Sequence, residues 1–170
     1  MQNIILRELV PDDKEQFIEA MNASLSLHTP WVEAPKTSEA FDAFYQAAQQ
    51  PNKKCFLACG DTNNILGVFN FNDIARGPFQ SAYLGYFGVM HHTGKGNMSA
   101  GLKLVLATAF NALQLHRLEA NIQPGNTNSI ELVKANGFRL EGYSPRYLKI
   151  NGEWRDHERW AITLEDYEDA

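Results

Sequence analysis

The sequence predicts an α+β domain in which a mixed sheet of about seven strands packs against about four helices. Its 170 residues are 44% hydrophobic and 21% charged, which is enough apolar material for one core of ordinary size. Short apolar or alternating runs recur between turn residues, as expected of strands. One of these strands passes through a glycine loop into a long amphipathic helix. We therefore expect residues 1–170 to form a single domain.

The first part of the chain predicts one strand and two helices. Residues 3–10 favour a strand, and Pro11 after them suits the first turn of a helix that extends to about residue 24. A loop that contains two prolines follows this helix. Thr37 can then cap a second helix, over residues 37–49.

The central part of the chain predicts three strands. Residues 53–59 and 65–72 are apolar or alternating runs on either side of the turn signal Gly60–Asn64. This arrangement indicates a hairpin. A third strand is expected over residues 82–89.

The C-terminal part adds two helices and three strands. Apolar residues recur every three or four positions from about residue 95 to residue 113, which predicts a long helix with one buried face. The remaining predicted elements are a strand at 116–123, a short helix at 128–136, and two closing strands at 138–148 and 153–164.

Charge and hydropathy exclude several classes of partner. A formal net charge of -5 and a pI near 5.5 provide no basic footprint for phosphate backbones, so nucleic acid is not expected as a direct ligand. An acidic surface suits a basic polypeptide instead. The apolar run Ile4–Leu6 is too short for a signal-peptide core, and no stretch approaches the length of a membrane span. We expect a cytoplasmic protein without membrane association.

The cysteines and the paired histidines do not predict a metal site. Cys55 and Cys59 lie on one predicted strand with Cα atoms about 13 Å apart, too far for a disulfide. They are expected to be buried thiols. His91 and His92 are adjacent but lack a third ligand nearby in the sequence, so no metal is expected.

The stretch Val89–Met98 carries the strongest chemical signal in the chain. Gly94 and Gly96 lack a Cβ atom, so the backbone can turn tightly there and admit a ligand close to the main chain. The helix that begins next adds a positive potential at its N-terminus. This combination suits a pyrophosphate group.

Two other phosphate-binding loops fit the spacing less well. A Walker A loop needs four residues between its glycines, but Gly88 lies one residue too far from Gly94, and Gly96 stands where a hydroxyl would hold magnesium. A dinucleotide-binding loop would need Ser99 as its third small residue and Glu119 as its acidic partner. This loop also follows a late strand instead of opening a βαβ unit, which disfavours that fit.

The segment His91–Gly96 resembles the acetyl-CoA loop of GNAT N-acetyltransferases, whose pattern is Gln/Arg-x-x-Gly-x-Gly/Ala. His91 departs from that pattern in one side chain and leaves the backbone cradle intact. Further along, Asn126–Ser129 and Gly137-Phe138 resemble the two ends of the second GNAT motif.

Within that family, the chain is most similar to the RimJ type, which acetylates the N-termini of ribosomal proteins. The similarity covers roughly residues 65–160, most of the catalytic core. It is carried by Gly67-Val68, Asn70-Phe71, Arg76-Gly77, Phe79, Tyr83-Leu84-Gly85-Tyr86, Gly94-Lys95-Gly96, His116-Arg117, Glu141-Gly142-Tyr143 and Gly152-x-Trp154-Arg155-Asp156-His157, with Pro30-Trp31 in the first third of the chain.

The resemblance implies a mostly antiparallel sheet that splays apart beside Tyr86 and admits the pantetheine arm of acetyl-CoA. An amide of the splayed strand would polarise the thioester carbonyl, and no metal or acyl-enzyme would be needed. The implied cofactor contacts are Phe87, Gly88, Val89, His91, Thr93, Gly94, Lys95, Gly96, Asn97, Met98 and, on the pantetheine arm, Asn126.

The resemblance also implies a role for Ser129 as the acid that protonates the departing thiolate. A simpler alternative remains open, because Asn126 and Ser129 are both residues that commonly cap helices. Many relatives place a Glu that acts as the general base five residues before the motif Asn, where this chain has Asn121. Glu119 is therefore the candidate base, although a strand Glu more commonly forms a surface salt bridge.

Glu33, Glu141 and a water chain are the other routes for removing the proton. Trp31 lies in a proline-flanked loop and can either wall the substrate groove or fill the core. We expect Trp31, Glu33 and Tyr86 to contact the acceptor.

Asn121, at the position where many relatives have the Glu base, predicts the kind of amine that is acetylated. An α-amino group with a pKa of 7.7 to 8.0 is about a tenth to a fifth neutral at pH 7, whereas a lysine amine is neutral about once in 2,500 molecules. The sequence therefore predicts acetylation of a protein N-terminus, with a ribosomal protein as the expected partner. The enzyme is expected to be a monomer or a homodimer. A small amine is the alternative acceptor, and a CoA-binding module without catalysis is the third hypothesis.

Overall fold

Seven strands build one sheet in the computed structural model, which describes residues 3–169. In chain order they are β1 Ile5–Glu8, β2 Lys54–Cys59, β3 Ile65–Ala75, β4 Ser81–Gly88, β5 Arg117–Ile122, β6 Arg139–Ile150 and β7 Glu153–Thr163. Their order across the sheet is β1-β2-β3-β4-β5-β7-β6. The predicted strands are confirmed, including the hairpin of β2 and β3.

Six α-helices occur among the described residues, two more than the sequence predicted. They are α1 Lys14–Ala23, α2 Leu25–His28, α3 Ser38–Ala48, α4 Asn97–Ala107, α5 Thr127–Ala135 and α6 Leu164–Glu168. The two additions, α2 and α6, are too short to show a helical periodicity in the sequence. Within residues 3–169, no helix has the length and apolar character needed to cross a bilayer.

The sheet is covered on both sides, and alternate side chains of each strand enter different cores. Phe56 and Ala58 of β2 join the core beneath α4 and α5, whereas Cys55, Leu57 and Cys59 join the core beneath α1 and α3. We call these two sides the α4 face and the α1 face. Cys55 and Cys59 are free buried thiols, as predicted, and burial raises the pKa of both.

The sheet opens between β4 and β5, its only parallel neighbours among the described strands. The two strands pair only from Ser81 to Tyr83, opposite Arg117 to Glu119. Beyond that point β4 remains paired with β3 and β5 remains paired with β7. Residues 84–88 consequently have one free backbone edge, which confirms the predicted splay.

Candidate active site

A cavity of about 660 Å³ occupies the opening between β4 and β5. Its walls come from both faces of the sheet: Met98 and Ser129 approach from the α4 face, while His28 and Trp31 approach from the α1 face. The cavity therefore spans the sheet and has walls on both of its faces.

The glycine loop forms the entrance on the α4 face. Gly94 and Gly96 have φ angles of 69° and 77°, in the left-handed region that favours glycine. A Cβ atom at either position would meet no atom within 4 Å, so the requirement lies in the backbone conformation. Gly96 is the N-cap of α4 and leaves the first amides of that helix without a side-chain cap. These amides are available to an anion.

Side chains of the loop mostly hold the loop itself. Thr93 Oγ1 donates to Met90 O at 2.9 Å, and Asn97 Nδ2 donates to His92 O at 3.2 Å. Lys95 Nζ donates to His91 O at 3.3 Å. The loop is thus held in shape by its own polar groups, and its contact with a ligand falls to the backbone.

The structure places only some of the implied cofactor contacts at the cavity. Four of them do not line it: Phe87, Val89, His91 and Lys95. Val89 is buried in the core of the α1 face, and the Phe87 ring packs against His28 with ring centroids 5.8 Å apart. His91 is exposed, and its neighbour His92 lines the cavity instead. The cofactor contacts implied by the resemblance that do line it are Gly88, Thr93, Gly94, Gly96, Asn97, Met98 and Asn126.

Ser129 and Tyr86 form the polar centre of the cavity on the α4 face. The Tyr86 Oη and Ser129 Oγ atoms are 2.5 Å apart. Burial raises the pKa of the Tyr86 phenol to about 12, so this hydroxyl holds its proton at neutral pH. The pair can deliver a proton to a group in the opening. Tyr86, predicted to contact the acceptor, lies on the α4 face beside Ser129.

The position of Asn126 is compatible with both roles considered for it, a helix cap and a cofactor contact. Its Oδ1 accepts from the backbone N–H of Ser129 at 3.3 Å and caps α5. Its amide nitrogen donates to no described residue, and the side chain lines the cavity. The cap orients the residue, and the remaining amide hydrogens are free for a ligand.

The α1 face contributes aromatic and imidazole side chains that lie far apart in the sequence. Trp31 packs on Gly125, where an added Cβ would lie 3.1 Å from the indole. Gln123, directly after β5, donates from Nε2 to Trp31 O at 3.1 Å. This bond holds the loop that carries Trp31 against the end of β5. Trp31 therefore walls the cavity, one of the two alternatives left open by its sequence context.

Two buried histidines, His28 and His157, line the cavity from the same face. His28 Nε2 lies 2.8 Å from Gly88 O, and burial lowers its pKa. Sequence analysis did not select His28 or Gln123, because neither belongs to a local motif. His157 entered the sequence analysis only as part of the family resemblance. Its neighbour Asp156 accepts from the Tyr143 hydroxyl and does not bond to this imidazole.

The predicted carboxylates are not at the cavity. Glu119 occupies the last paired position before β4 and β5 separate, and its Oε1 accepts from Arg117 Nε at 2.9 Å. Arg117 also binds Glu141, so both acids are held in one ion-pair network. Glu33 is exposed on its loop. Glu119 thus lies over the closed part of the sheet, outside the cavity walls.

Carboxylates are scarce throughout the described walls of the cavity. Glu131 is the one that lines it, and it lies on α5, 3.3 Å from Lys134 Nζ. In residues 3–169, no cluster of three or more His, Cys, Asp or Glu side chains could hold a metal ion.

A protein-family model covers most of the chain. The model of the Acetyltransferase (GNAT) domain matches residues 3–139. A probable N-acetyltransferase, YjcK of Bacillus subtilis (strain 168), is 40% identical over 113 residues, which is 66% of this chain and 61% of that protein. The [Ribosomal protein uS5]-alanine N-acetyltransferase of Escherichia coli (strain K12) is 39% identical over 107 residues, or 63% of this chain and 55% of that protein. The chain thus matches less than two thirds of the length of each relative.

Solved structures share the architecture. Mycobacterium smegmatis RimJ in complex with CoA-disulfide superimposes with a TM-score of 0.88 at 29% identity, covering 96% of this chain and 83% of that one. A spermidine N-acetyltransferase from Vibrio cholerae, in complex with CoA and spermine, gives a TM-score of 0.83 at 22% identity, covering 97% and 98%. At that identity the second likeness shows the fold alone.

The residues present fit the cosubstrate of this fold. A free strand edge, a glycine loop with open helix amides and an uncommitted Asn126 amide surround one continuous cavity. They match in kind the thioester arm and the diphosphate of acetyl-CoA. By its matched family model, its open sheet and its glycine loop, the chain belongs to the GNAT acetyltransferase family.

Proposed function

We propose that the protein transfers the acetyl group of acetyl-CoA to the N-terminal α-amine of a protein, with a ribosomal protein as the leading acceptor. The amine attacks the thioester directly in a ternary complex. The proposal combines the family membership with the character of the cavity on the α1 face.

The cofactor enters from the α4 face. Backbone amides around Gly94 to Met98 bind the diphosphate, and the Asn126 amide hydrogens bind the pantetheine arm. The arm lies along the free edge of β4, beyond its last pairing at Tyr83. A backbone N–H of that edge polarises the thioester carbonyl, which stabilises the oxyanion of the tetrahedral intermediate.

Release of the thiolate requires a proton on the same face. Tyr86 and Ser129 are positioned for this step because they share a hydrogen bond and both line the cavity. The raised pKa of Tyr86 keeps the proton on the pair until the thiolate forms. The proton then passes from the pair to sulfur.

The scarcity of acids is the observation that carries the choice of acceptor. A polyamine carries several positive charges, and burying them requires nearby carboxylates. The described walls of the cavity on the α1 face contribute none, and instead present Trp31, Asn121 and two histidines. The Asn121 Oδ1 atom is buried and accepts from no described residue, so it can receive one N–H of a single amine.

The ionisation of the amine supports the same choice. An α-amine near pH 7 is neutral in about a tenth to a fifth of molecules, so a weak base suffices to release the rest. A lysine amine would need a stronger one. The formal charge of -5 also favours encounter with basic ribosomal proteins.

The test compares matched acceptors at pH 7. Peptides beginning with Ala or Ser, each with an internal lysine, are assayed with free and with acetyl-blocked N-termini, alongside spermidine, an aminoglycoside and free amino acids. Thiol release and mass mapping should show transfer to the free N-terminus alone. Faster lysine labelling, or turnover confined to small amines, would refute the proposal. Coenzyme binding without any transfer would indicate a non-catalytic CoA-binding module.

A further inference from the structure

His157 lies in β7 with only 3% of its surface exposed. Neighbouring Trp160 and Ile162 enter the core of the α4 face, so the alternation along the strand places His157 on the α1 face. It lines the cavity together with Asn121 of the adjacent strand. A buried imidazole therefore stands at the side from which the acceptor enters.

The hydrogen bonds of this imidazole fix its tautomer. Nδ1 lies 2.9 Å from the carbonyl oxygen of Arg155. A carbonyl oxygen can only accept, so Nδ1 carries the hydrogen, and the neutral ring keeps its lone pair on Nε2. No described residue bonds to Nε2. The free lone pair is thus held in one orientation.

The surroundings favour the neutral form. Burial is the main cause that lowers the pKa of His157, while the Arg155 carbonyl and the Asp156 carboxylate oppose it. Within β7 the charged residues that flank His157 in the sequence are Arg155, Asp156, Glu158 and Arg159. From β6, the Tyr147 ring contacts the imidazole with ring centroids 6.2 Å apart, and Ser144 pairs opposite it. Because the pKa is lowered from its ordinary value, the neutral ring with its free lone pair is favoured.

We propose that His157 is the general base that takes the proton from the acceptor amine, directly or through one water. The assignment rests on the proposed transfer to an amine from the α1 face. The acid pair Tyr86 and Ser129 lies on the other face of the same opening, so the proton donor and the proton acceptor flank the reacting atoms from opposite sides.

The protons balance in this arrangement. The ammonium loses one proton to His157 Nε2, and the neutral nitrogen forms a bond to the thioester carbon. When the C–S bond breaks, the Tyr86 and Ser129 pair protonates the sulfur and recovers its proton from the nitrogen of the intermediate. The proton on His157 leaves to solvent. The net products are an amide, free CoA and one proton.

His28 is the competing base, and the local charges separate the two. Its Nε2 donates to Gly88 O, which leaves a lone pair on Nδ1. The positive charge of Lys36 further lowers the pKa of His28, whereas the negative charge of Asp156 raises that of His157. The neighbouring charges thus favour an imidazolium at His157 and disfavour one at His28, so His157 is the base that we assign.

The principal test is the pH dependence of kcat/KM in a His157→Gln variant, measured from pH 6 to pH 10 with an N-terminal peptide and with spermidine. At pH 7 the rate should fall by roughly 10²- to 10⁴-fold, as for loss of a general base. The deficit should narrow as pH rises past the pKa of the amine, because the amine then supplies its own neutral form. The KM for acetyl-CoA should remain unchanged.

His116→Gln is the matched control, since His116 is half exposed and bound to Glu165 away from the cavity. The His116→Gln variant should leave the pH dependence of kcat/KM unchanged. The assignment would be overturned if His157→Gln lost the same factor in kcat/KM at every pH. It would also be overturned if His28→Gln, and not His157→Gln, showed a loss of kcat/KM that narrows at high pH. If only spermidine is acetylated, the proposed acceptor fails while the role of His157 is still tested.

A second measurement needs no acceptor. Imidazole nitrogen shifts in ¹⁵N NMR spectra, assigned by their loss in His157→Gln, should report a neutral ring with hydrogen on Nδ1 at pH 7. A ring charged at pH 7, or one with hydrogen on Nε2, would contradict the proposal.

Discussion

The two sides of the cavity are built in different ways. On the α4 face, two short segments at helix starts, 93–98 and 126–129, supply Thr93, Asn97, Asn126 and Ser129, and Tyr86 of β4 joins them. On the α1 face, the lining residues come from α2, the loop after it, the end of β5 and the middle of β7. One side is assembled locally and the other by long-range packing.

This difference affects what each side can tolerate. Backbone amides bind a phosphate whatever the side chains, provided that the turn can form. The α1 face acts through particular side chains, each held by a contact from elsewhere, such as Gln123 on the loop of Trp31. Substitutions should therefore separate the two sides: changes on the α4 face affect the cofactor or the thiolate, and changes on the α1 face affect the acceptor.

Ser129→Ala should produce the largest effect among the α4-face variants. We expect turnover to fall by roughly ten- to a thousandfold, because the thiolate loses its proton donor. The Kd for CoA should hardly change, since the cap on α5 uses the backbone N–H of Ser129 and survives the substitution. Steady-state kinetics together with calorimetry would measure both.

Thr127→Ala is the matched control on the same helix, because Thr127 is exposed and does not line the cavity. It should retain full turnover. Unchanged turnover in Ser129→Ala would remove the proton donor from the mechanism and favour a role limited to packing.

Gly96→Ala should have an intermediate effect, on the cofactor alone. An alanine at a φ of 77° costs about 1 kcal/mol in backbone strain and distorts the amides at the start of α4. We expect the Kd for CoA to rise about tenfold or more while the acceptor KM is preserved, as measured by calorimetry and kinetics.

Gly77→Ala provides the comparison, since Gly77 has a φ of 65° and open space around it but lies outside the cavity. The Gly77→Ala variant should lose about as much thermal stability as Gly96→Ala, with no loss of CoA affinity. Equal affinity losses in the two variants would show that general destabilisation, and not the loop, weakens binding.

Glu119→Gln should have the smallest effect. The carboxylate lies over the closed part of the sheet and binds Arg117, so the rate at pH 7 should change by less than about threefold. Arg117 keeps its contact with Glu141, which limits any loss of stability. A deficit of a hundredfold or more that narrows at high pH would restore Glu119 as the base and remove the contrast between the two faces.

Much of the architecture was predictable because it depends on local patterns. The alternating runs located all seven strands, and Thr37 was correctly expected to cap the helix that follows it. The glycine loop was found for the same reason, since a left-handed turn before a helix needs glycine wherever it occurs. The one-turn helix α2 escaped notice, although it carries His28 to the cavity.

The direction in which a side chain points was less predictable from the sequence. Glu119 and Asn121 share one face of β5, as the spacing indicated, but only Asn121 lies beyond the point where β4 departs. Likewise His91 and His92 are equivalent by position, and the short turn at residues 90–92 directs only His92 to the cavity. Neither outcome is encoded in the spacing of these residues.

By itself, the sequence determined the strand and helix order, the glycine loop and the family resemblance, because backbone preferences and short motifs act over a few residues. Only the tertiary structure decided which side chains face the opening of the sheet. The reason is physical: the gap arises where β4 stays with β3 while β5 stays with β7, and that competition between distant strands brings His28, Trp31 and His157 together.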